Sequence, residues 1–446
     1  MTFLTCDCKE SCGSSTCYDE CMRIFCSGIG GIGLSAYASH MHALGHDVSG
    51  SDRSDSAILT DLQSQGVATY LEQNGKLIEK NIELLVYSEA VPESSPERRK
   101  AKELGIRQYS YFEALGELTR GKDVIAVSGT HGKSSTTAML ARIFTELGAD
   151  PNVVVGTKMK EFNGRNWRKG AGDLWILEAC EYRRSFLHLE PKTLVITNVD
   201  GDHFDAFKDA DDYRSAFVEF ASKLPEGGVI VGHGADLAVR DIANRSKKTF
   251  IDADAEALIS MKTPGLHMQM NAQLALAVSR LRGLPVGDAE RALQDFQGTW
   301  RRMEMKGTSP IGVTVIDDYG HHPTEIRATL SAIKNAYRGK KLVCVYQPHT
   351  NDRTLKLWGE FVTAFRDADE VVLTDVYDAR PEKDAGQVDM KKLAADIQSG
   401  SSGPCIAAGS ISQAEAMLRT KILKTGDIAL VMGAGDVTEL AGRLLT

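Results

Sequence analysis

From Arg23 onward, short and wholly apolar runs alternate with longer segments whose apolar residues recur every three or four positions. The pattern predicts strands at Arg23–Ser27, 47–49, 84–88 and 124–128, then at 174–177, 194–197 and 229–231. A last group falls at 313–316, Leu342–Tyr346, Glu370–Thr374 and Ile428–Met432. Between them, 34–44 reads as a helix, and so does the segment from Lys133, where Met139, Leu140, Ile143, Phe144 and Leu147 share one face. Strands alternating with helices imply α/β architecture with parallel sheets covered on both faces. Three such series, with no detectable repeat, predict domains at 22–121, 122–300 and 301–446, with Gly121-Lys122-Asp123 as the first linker.

Composition narrows the function. Lys and Arg total 52 against 60 Asp and Glu, a net charge of -8, which argues against a surface devoted to nucleic acid or anionic lipid. No apolar run approaches the roughly 18 residues of a membrane helix, so no membrane insertion and a cytoplasmic protein are expected. Hydrophobic residues at 42% and only 12 prolines set aside disordered and collagen-like classes. Six of nine cysteines crowd the first 26 residues (Cys6, Cys8, Cys12, Cys17, Cys21 and Cys26), yet no pair has C-x-x-C spacing. Residues 1–21 are expected to form a poorly ordered leader without a metal, and Met22 reads as the start of the folded chain.

Two glycine loops carry the chemistry. Gly28-Ile29-Gly30-Gly31-Ile32-Gly33 fits G-x-G-x-x-G between strand and helix, where bare backbone and a helix N-terminus receive a pyrophosphate. Asp52, nineteen residues beyond Gly33, stands where a ribose-binding carboxylate would. Gly129-Thr130-His131-Gly132-Lys133-Ser134-Ser135 also follows a strand and opens a helix. It is a compact phosphate loop in which Lys133 meets the phosphate oxygens and Ser134 ligates Mg²⁺, although Val127 stands where the usual spacing asks for glycine. Glu178 and His203 follow later strands and are candidate metal residues, since Mg²⁺ prefers hard oxygen ligands near phosphates. Asp317-Asp318-Tyr319-Gly320-His321-His322-Pro323 and Gln347-Pro348-His349 with Arg353 end strands of the third series, which makes a polar binding face there.

In order along the chain, GIGGIG with SGSD, YSEAVPESSPE, GTHGKSSTT, EACEYRRSF, ITNVDGDHFD, DDYGHHPTEI, QPH with Arg353, and MGAGD resemble the Mur ligases. These are ATP-dependent amide-forming enzymes of peptidoglycan synthesis, and the motifs are most similar to those of members that take UDP-N-acetylmuramate and L-alanine. The resemblance implies a Rossmann-like N-terminal domain, a central P-loop ATPase domain and a C-terminal Rossmann-like domain that closes on the amino acid. It implies that Gly30, Gly31, Ile32, Ser51, Asp52 and Ser88 hold the UDP-sugar. ATP would be held by Gly129, Thr130, His131, Gly132, Lys133, Ser134, Ser135 and Asn271, with Arg302 on the phosphates and Asp318 on the ribose. Ser134, Glu178 and His203 would surround Mg²⁺. Tyr319, His321, His349 and Arg353 would line the muramate and alanine site, and Lys133, Glu178, His203 and Arg302 would carry catalysis through an acyl phosphate.

Three departures stand out. The family's adenine-contacting G-x-H-N-x-x-N reads Gly265-Leu266-His267-Met268-Gln269-Met270-Asn271 here, so base recognition is expected to be weaker or rearranged. Thr350 follows Gln-Pro-His where arginine is usual, and the span from His203 to Pro264 is short. Rival readings are a ligase adding another amino acid or a recycled muropeptide, a nicotinamide-dependent dehydrogenase, and a non-catalytic nucleotide-binding regulator. A dehydrogenase leaves Lys133, Glu178 and DDYGHHPTE without a task. Oligomeric state and the choice among L-Ala, Gly and L-Ser are not legible.

Overall fold

The computed structural model describes residues 21–201, 206–378, 386–400 and 403–446. Among them three sheets follow one another along the chain. The first comprises β1 (Arg23–Ser27), β2 (Asp47–Ser51), β3 (Ala68–Tyr70), β4 (Leu84–Tyr87) and β5 (Arg107–Ser110), in the order β3-β2-β1-β4-β5 and all parallel. The second comprises β6 (Asp123–Ser128), β7 (Asn152–Met159), β8 (Arg165–Arg168), β9 (Leu174–Glu178), β10 (Thr193–Ile196), β11 (Val229–Gly232) and β12 (Thr249–Asp252). Its order is β12-β11-β10-β6-β9-β7-β8. The third comprises β13 (Glu304–Thr308), β14 (Thr314–Asp318), β15 (Leu342–Tyr346), β16 (Glu370–Thr374), β17 (Cys405–Gly409) and β18 (Ile428–Met432), in the order β13-β14-β18-β15-β16-β17.

Central strands such as β15 (LVCVY) and β18 (IALVM) are buried at every position because helices cover both faces of the sheet. Separate apolar cores accordingly lie on the two faces of the second sheet and of the third. Two expectations need correction. The sheets are not wholly parallel: β7 pairs β8 and β13 pairs β14 antiparallel, each with a register shift. Several element ends also move, the first helix to Ile32–Ala43, β2 to Ser51 and β14 to Thr314–Asp318. The cysteine-rich leader lies outside the described residues, apart from the exposed Cys21.

The helix Ile32–Ala43 is buried along Leu34–Met41 and has no polar face. One side packs on the first sheet and the other on the β7–β8 hairpin, which explains why even Ser35, Ser39 and His40 are buried along it. His40 sits between Trp167 and Trp175, at ring distances of 5.8 and 4.8 Å. Asn166 donates to the Ile32 carbonyl and Lys169 to that of Ala43, at 2.9 Å for the lysine. These contacts seat the first glycine loop against the central sheet.

Candidate active site

Both glycine loops lie at the C-terminal ends of parallel strands, where open α/β sheets bind ligands. In the first, Gly28 has φ +82°, and its N–H and that of Ile29 donate to the Ser51 carbonyl at 2.8 and 2.9 Å. The N–H of Gly30 donates to Asp52 Oδ2 at 2.9 Å, so this carboxylate shapes the loop itself. Ser51 departs from expectation. Fully buried, its hydroxyl donates to Glu97 Oε1 at 2.6 Å, and Ser27 donates to the other oxygen. Glu97, 1% exposed, thereby ties the ends of β1 and β2 together, and burial holds its carboxyl above the usual range against the pull of the two serines.

In the second loop Gly132 has φ +82° and caps the helix Lys133–Glu146, and a Cβ there would lie 2.5 Å from Asn271 Oδ1. The end of β10 braces the loop. Thr130 donates to the Asp200 carbonyl at 2.7 Å, and the N–H of His131 donates to Asn198 Oδ1 at 2.9 Å. Lys133 Nζ donates to the carbonyls of Gly129 (2.5 Å) and Thr130 (3.1 Å) and lies 3.0 Å from the fully buried Glu181. Burial opposes the ammonium, but Glu181, Cys180 and Glu178 outweigh it and raise the lysine above its ordinary range. Ser134 donates to Glu178 Oε1 at 3.0 Å, and the N–H of Gly156 donates to Oε2 at 2.6 Å. A hydroxyl and a carboxylate together at the loop mouth are hard oxygen donors that fit Mg²⁺. His203, the third expected ligand, lies outside the described residues.

The third sheet closes the site. Arg302 lies 5.0 Å from the Tyr319 ring centroid. Tyr319, His321, His349 and Tyr377 form a row of rings at 5.6, 5.6 and 5.9 Å, and Arg353 Nη1 stands 3.1 Å from His349 Nδ1. Asp318, expected at a ribose, accepts the N–H groups of Met303 (2.8 Å) and Gly320 (2.7 Å). Burial raises its carboxyl to about 6 despite the nearby Arg302. Glu325 went unnoticed as an individual residue. Its carboxylate accepts the N–H of His321 at 2.9 Å and lies 3.3 Å from His131 Nδ1, while His131 Nε2 lies 3.3 Å from Asp200 Oδ2. Thr324 also donates to Asp200 at 2.9 Å, so the phosphate loop and the third domain touch directly. Burial disfavours the His131 cation, yet Asp200 and Glu325 raise its pKa to about 9. Proline at the first helical turn and glutamate three residues past His322 were the available signal for this helix start.

One cavity of about 960 Å³ collects most of these groups. Gly30, Gly31, Ile32 and Ser88 line it together with Thr130, Gly132, Lys133, Ser134, Glu178, Arg302, Tyr319, His321, His349 and Arg353. Ser51 and Asp52 do not line it. A second cavity of about 570 Å³ is lined by His131, Gly132, Ser135, Asn271, Arg302 and Asp318. Gly129 lines neither, and a Cβ on it would strike Thr197.

The sequence matches the Mur ligase family, catalytic domain over residues 24–123, the Mur ligase middle domain over 127–257 and the Mur ligase, glutamate ligase domain over 301–435. It is 37% identical over 444 residues to the UDP-N-acetylmuramate–L-alanine ligase of Clostridium kluyveri, covering 93% of this chain and 95% of that protein. The chain belongs to the Mur ligase family. The enzyme of the same name from Clostridium novyi is 36% identical, with 94% of this chain and 96% of that one covered. A solved UDP-N-acetylmuramate–alanine ligase from Thermotoga maritima has a TM-score of 0.79 at 26% identity, covering 95% and 98% of the two chains. A murein peptide ligase from Psychrobacter arcticus, at 23% identity and a TM-score of 0.69, shares the fold. This Mur ligase therefore has the three-domain α/β architecture expected, and it belongs to a family of ATP-dependent ligases.

Proposed function

We propose that this Mur ligase joins L-alanine to the lactyl carboxylate of UDP-N-acetylmuramate at the expense of ATP, in the cytoplasm. The observation that carries the reading is the single 960 Å³ cavity. It brings a pyrophosphate-type glycine loop, a phosphate loop with Lys133, and the Tyr319–His321–His349–Arg353 face from three successive sheets to one space. The relatives named above support the choice of substrates.

A carboxylate does not form an amide in water unaided, so its oxygen must be activated. The lactyl oxygen bonds to the γ-phosphorus of ATP, the bond to ADP breaks, and an acyl phosphate results. The unprotonated amine of alanine then attacks the acyl carbon, phosphate leaves with the C–O electron pair, and the amine's extra proton passes to solvent. Lys133 and Arg302 offset the negative charge that moves between the oxygens, and the loop N–H groups hold the chain of phosphates in line. Ser134 and Glu178, with His203, would hold Mg²⁺, which when bound supplies further charge neutralisation at the phosphates. Glu181 keeps Lys133 charged and aligned. Arg353, its Nη1 3.1 Å from His349 Nδ1, is the guanidinium we assign to the carboxylate of the amino acid.

Phosphate release from ATP with UDP-N-acetylmuramate, screened over single amino acids, tests the reading. Release is expected with L-alanine and, less efficiently, with other small residues. Release that requires a peptide, or that proceeds with no dependence on UDP-N-acetylmuramate, would refute it.

A further inference from the structure

The 570 Å³ cavity behind the phosphate loop runs across three adjacent strand ends. β6 ends at Ser128, β10 at Ile196 and β11 at Gly232, and these residues are register partners in turn. Parallel neighbours are spaced by ~4.8 Å, so the residue after β11 lies roughly 10 Å across the sheet from the phosphate loop. A nucleotide whose phosphates occupy that loop would carry its base to this point.

The residue there is His233, 3% exposed and lining the cavity. Its Nδ1 lies 2.7 Å from Asp254 Oδ1, and Asp254 Oδ2 accepts the N–H of Ala235 at 2.8 Å, which fixes the carboxylate. A carboxylate only accepts, so Nδ1 carries a proton, and in the neutral form of the ring Nε2 presents a lone pair. That Nε2 is buried and makes no hydrogen bond within the protein. Several other polar groups of the cavity have tasks, while His267 lines it as well. Asp236 caps the helix Leu237–Ser246, and Asp318 holds two backbone N–H groups. Met268, buried in the same wall, brings only a thioether.

We propose that His233 is the base-reading residue of the nucleotide site: its Nε2 accepts a hydrogen bond from the exocyclic amine of adenine and repels the 6-oxo group of guanine. The proposal rests on the reading of this cavity as the ATP site. It supplies a polar contact to the base in a pocket where methionine stands at position 268.

The test compares ATP, purine riboside triphosphate (which lacks the amine) and GTP in phosphate release by the full chain with UDP-N-acetylmuramate and L-alanine. For the unaltered protein kcat/KM should fall about tenfold on loss of the amine, and further with GTP. His233→Phe should use ATP and the amine-free nucleotide within about twofold of each other, with the loss on ATP confined mainly to KM. His233→Gln, which keeps an acceptor, should recover part of the discrimination. Equal use of ATP and the amine-free nucleotide by the unaltered protein overturns the proposal, and so does full discrimination by His233→Phe. Should that variant not fold, as its thermal transition would show, the other two proteins decide the matter. Should no nucleotide be turned over at all, the ligase reading fails separately, and the same comparison is made by calorimetric binding of the three nucleotides.

Discussion

Replacing Lys133 separates two roles that the site combines. Lys133→Ala removes the ammonium that we assign to the phosphates of ATP, and it also strands Glu181, which is fully buried and within 3.0 Å of Nζ. Breaking a buried pair by deleting one partner costs roughly 3–5 kcal/mol, because the remaining charge stays desolvated. For a domain of this size that is a fall in melting temperature on the order of 10 °C. The raised lysine pKa makes the pair insensitive to mild pH change. Its stabilisation is fully present below the unfolded lysine value of about 10.4 and is lost only as pH rises through the still higher folded one. The double variant Lys133→Met with Glu181→Gln removes both charges and should regain most of the lost stability, since the amide that replaces the carboxylate can still accept from the Tyr213 hydroxyl. Neither variant should release phosphate. Both should bind UDP-N-acetylmuramate with near-normal affinity by calorimetry, since the first glycine loop sits on another sheet. The reasoning is refuted if the double variant is active, or if it is no more stable than Lys133→Ala.

Three further outcomes follow from the geometry. Gly31→Val should weaken UDP-sugar binding by tenfold or more while leaving the melting temperature nearly unchanged, because a Cβ at Gly31 meets no protein atom closer than 3.4 Å and acts on the ligand instead. His131, raised to about 9 from 6.5, contributes stability that is complete below about pH 6.5 and lost as pH climbs through 9; melting temperature should fall across that window, and His131→Gln should flatten the fall. Glu97→Ala leaves the buried Ser27 hydroxyl without its partner and the Ser51 hydroxyl with only the Gln73 amide, and should cost about 1–3 kcal/mol with a raised KM for the UDP-sugar, whereas Glu97→Gln should fold at least as well as the unaltered chain, since burial already disfavours the ionised carboxyl.

Much of this architecture was legible because the central strands carry continuous apolar runs that only a doubly covered sheet accommodates, and the two glycine loops announce themselves by composition and position. The edges were not. β13 reads EMKGT with a shift between Met305 and Gly307, and β7 carries a shift between Val154 and Met159, so neither offers a clean period. The local partners of individual residues at the first loop were also not legible. Ser51 reads like a ligand-facing serine beside Asp52, but a strand-end side chain has two faces to choose between. The buried carboxylate of Glu97, forty-six residues further on, decides the choice. His233 lies in the unremarkable stretch VGHGAD, and only the position of β11 in the sheet gives it a meaning.

The three sheets hold the parts of one reaction, which makes their mutual contacts functional rather than merely architectural. The helix Ile32–Ala43 ties the UDP-sugar loop to the central domain through a largely apolar seam with two rings on His40, an arrangement with little to switch. The seam between the phosphate loop and the third domain is of another kind. It consists of His131, Asp200, Thr324 and Glu325, charged and polar groups around an imidazole, with Arg302 lining both cavities. Polar contacts of this sort exchange readily for water or for phosphate oxygens, whereas buried apolar area does not. The two halves of the reaction have unequal needs in the same sense. The UDP-sugar carries the reacting carboxylate and must be held in one place through both steps, while the γ-phosphoryl group joins it in the first and departs as phosphate in the second. The fixed seam serves the first need and the polar one the second.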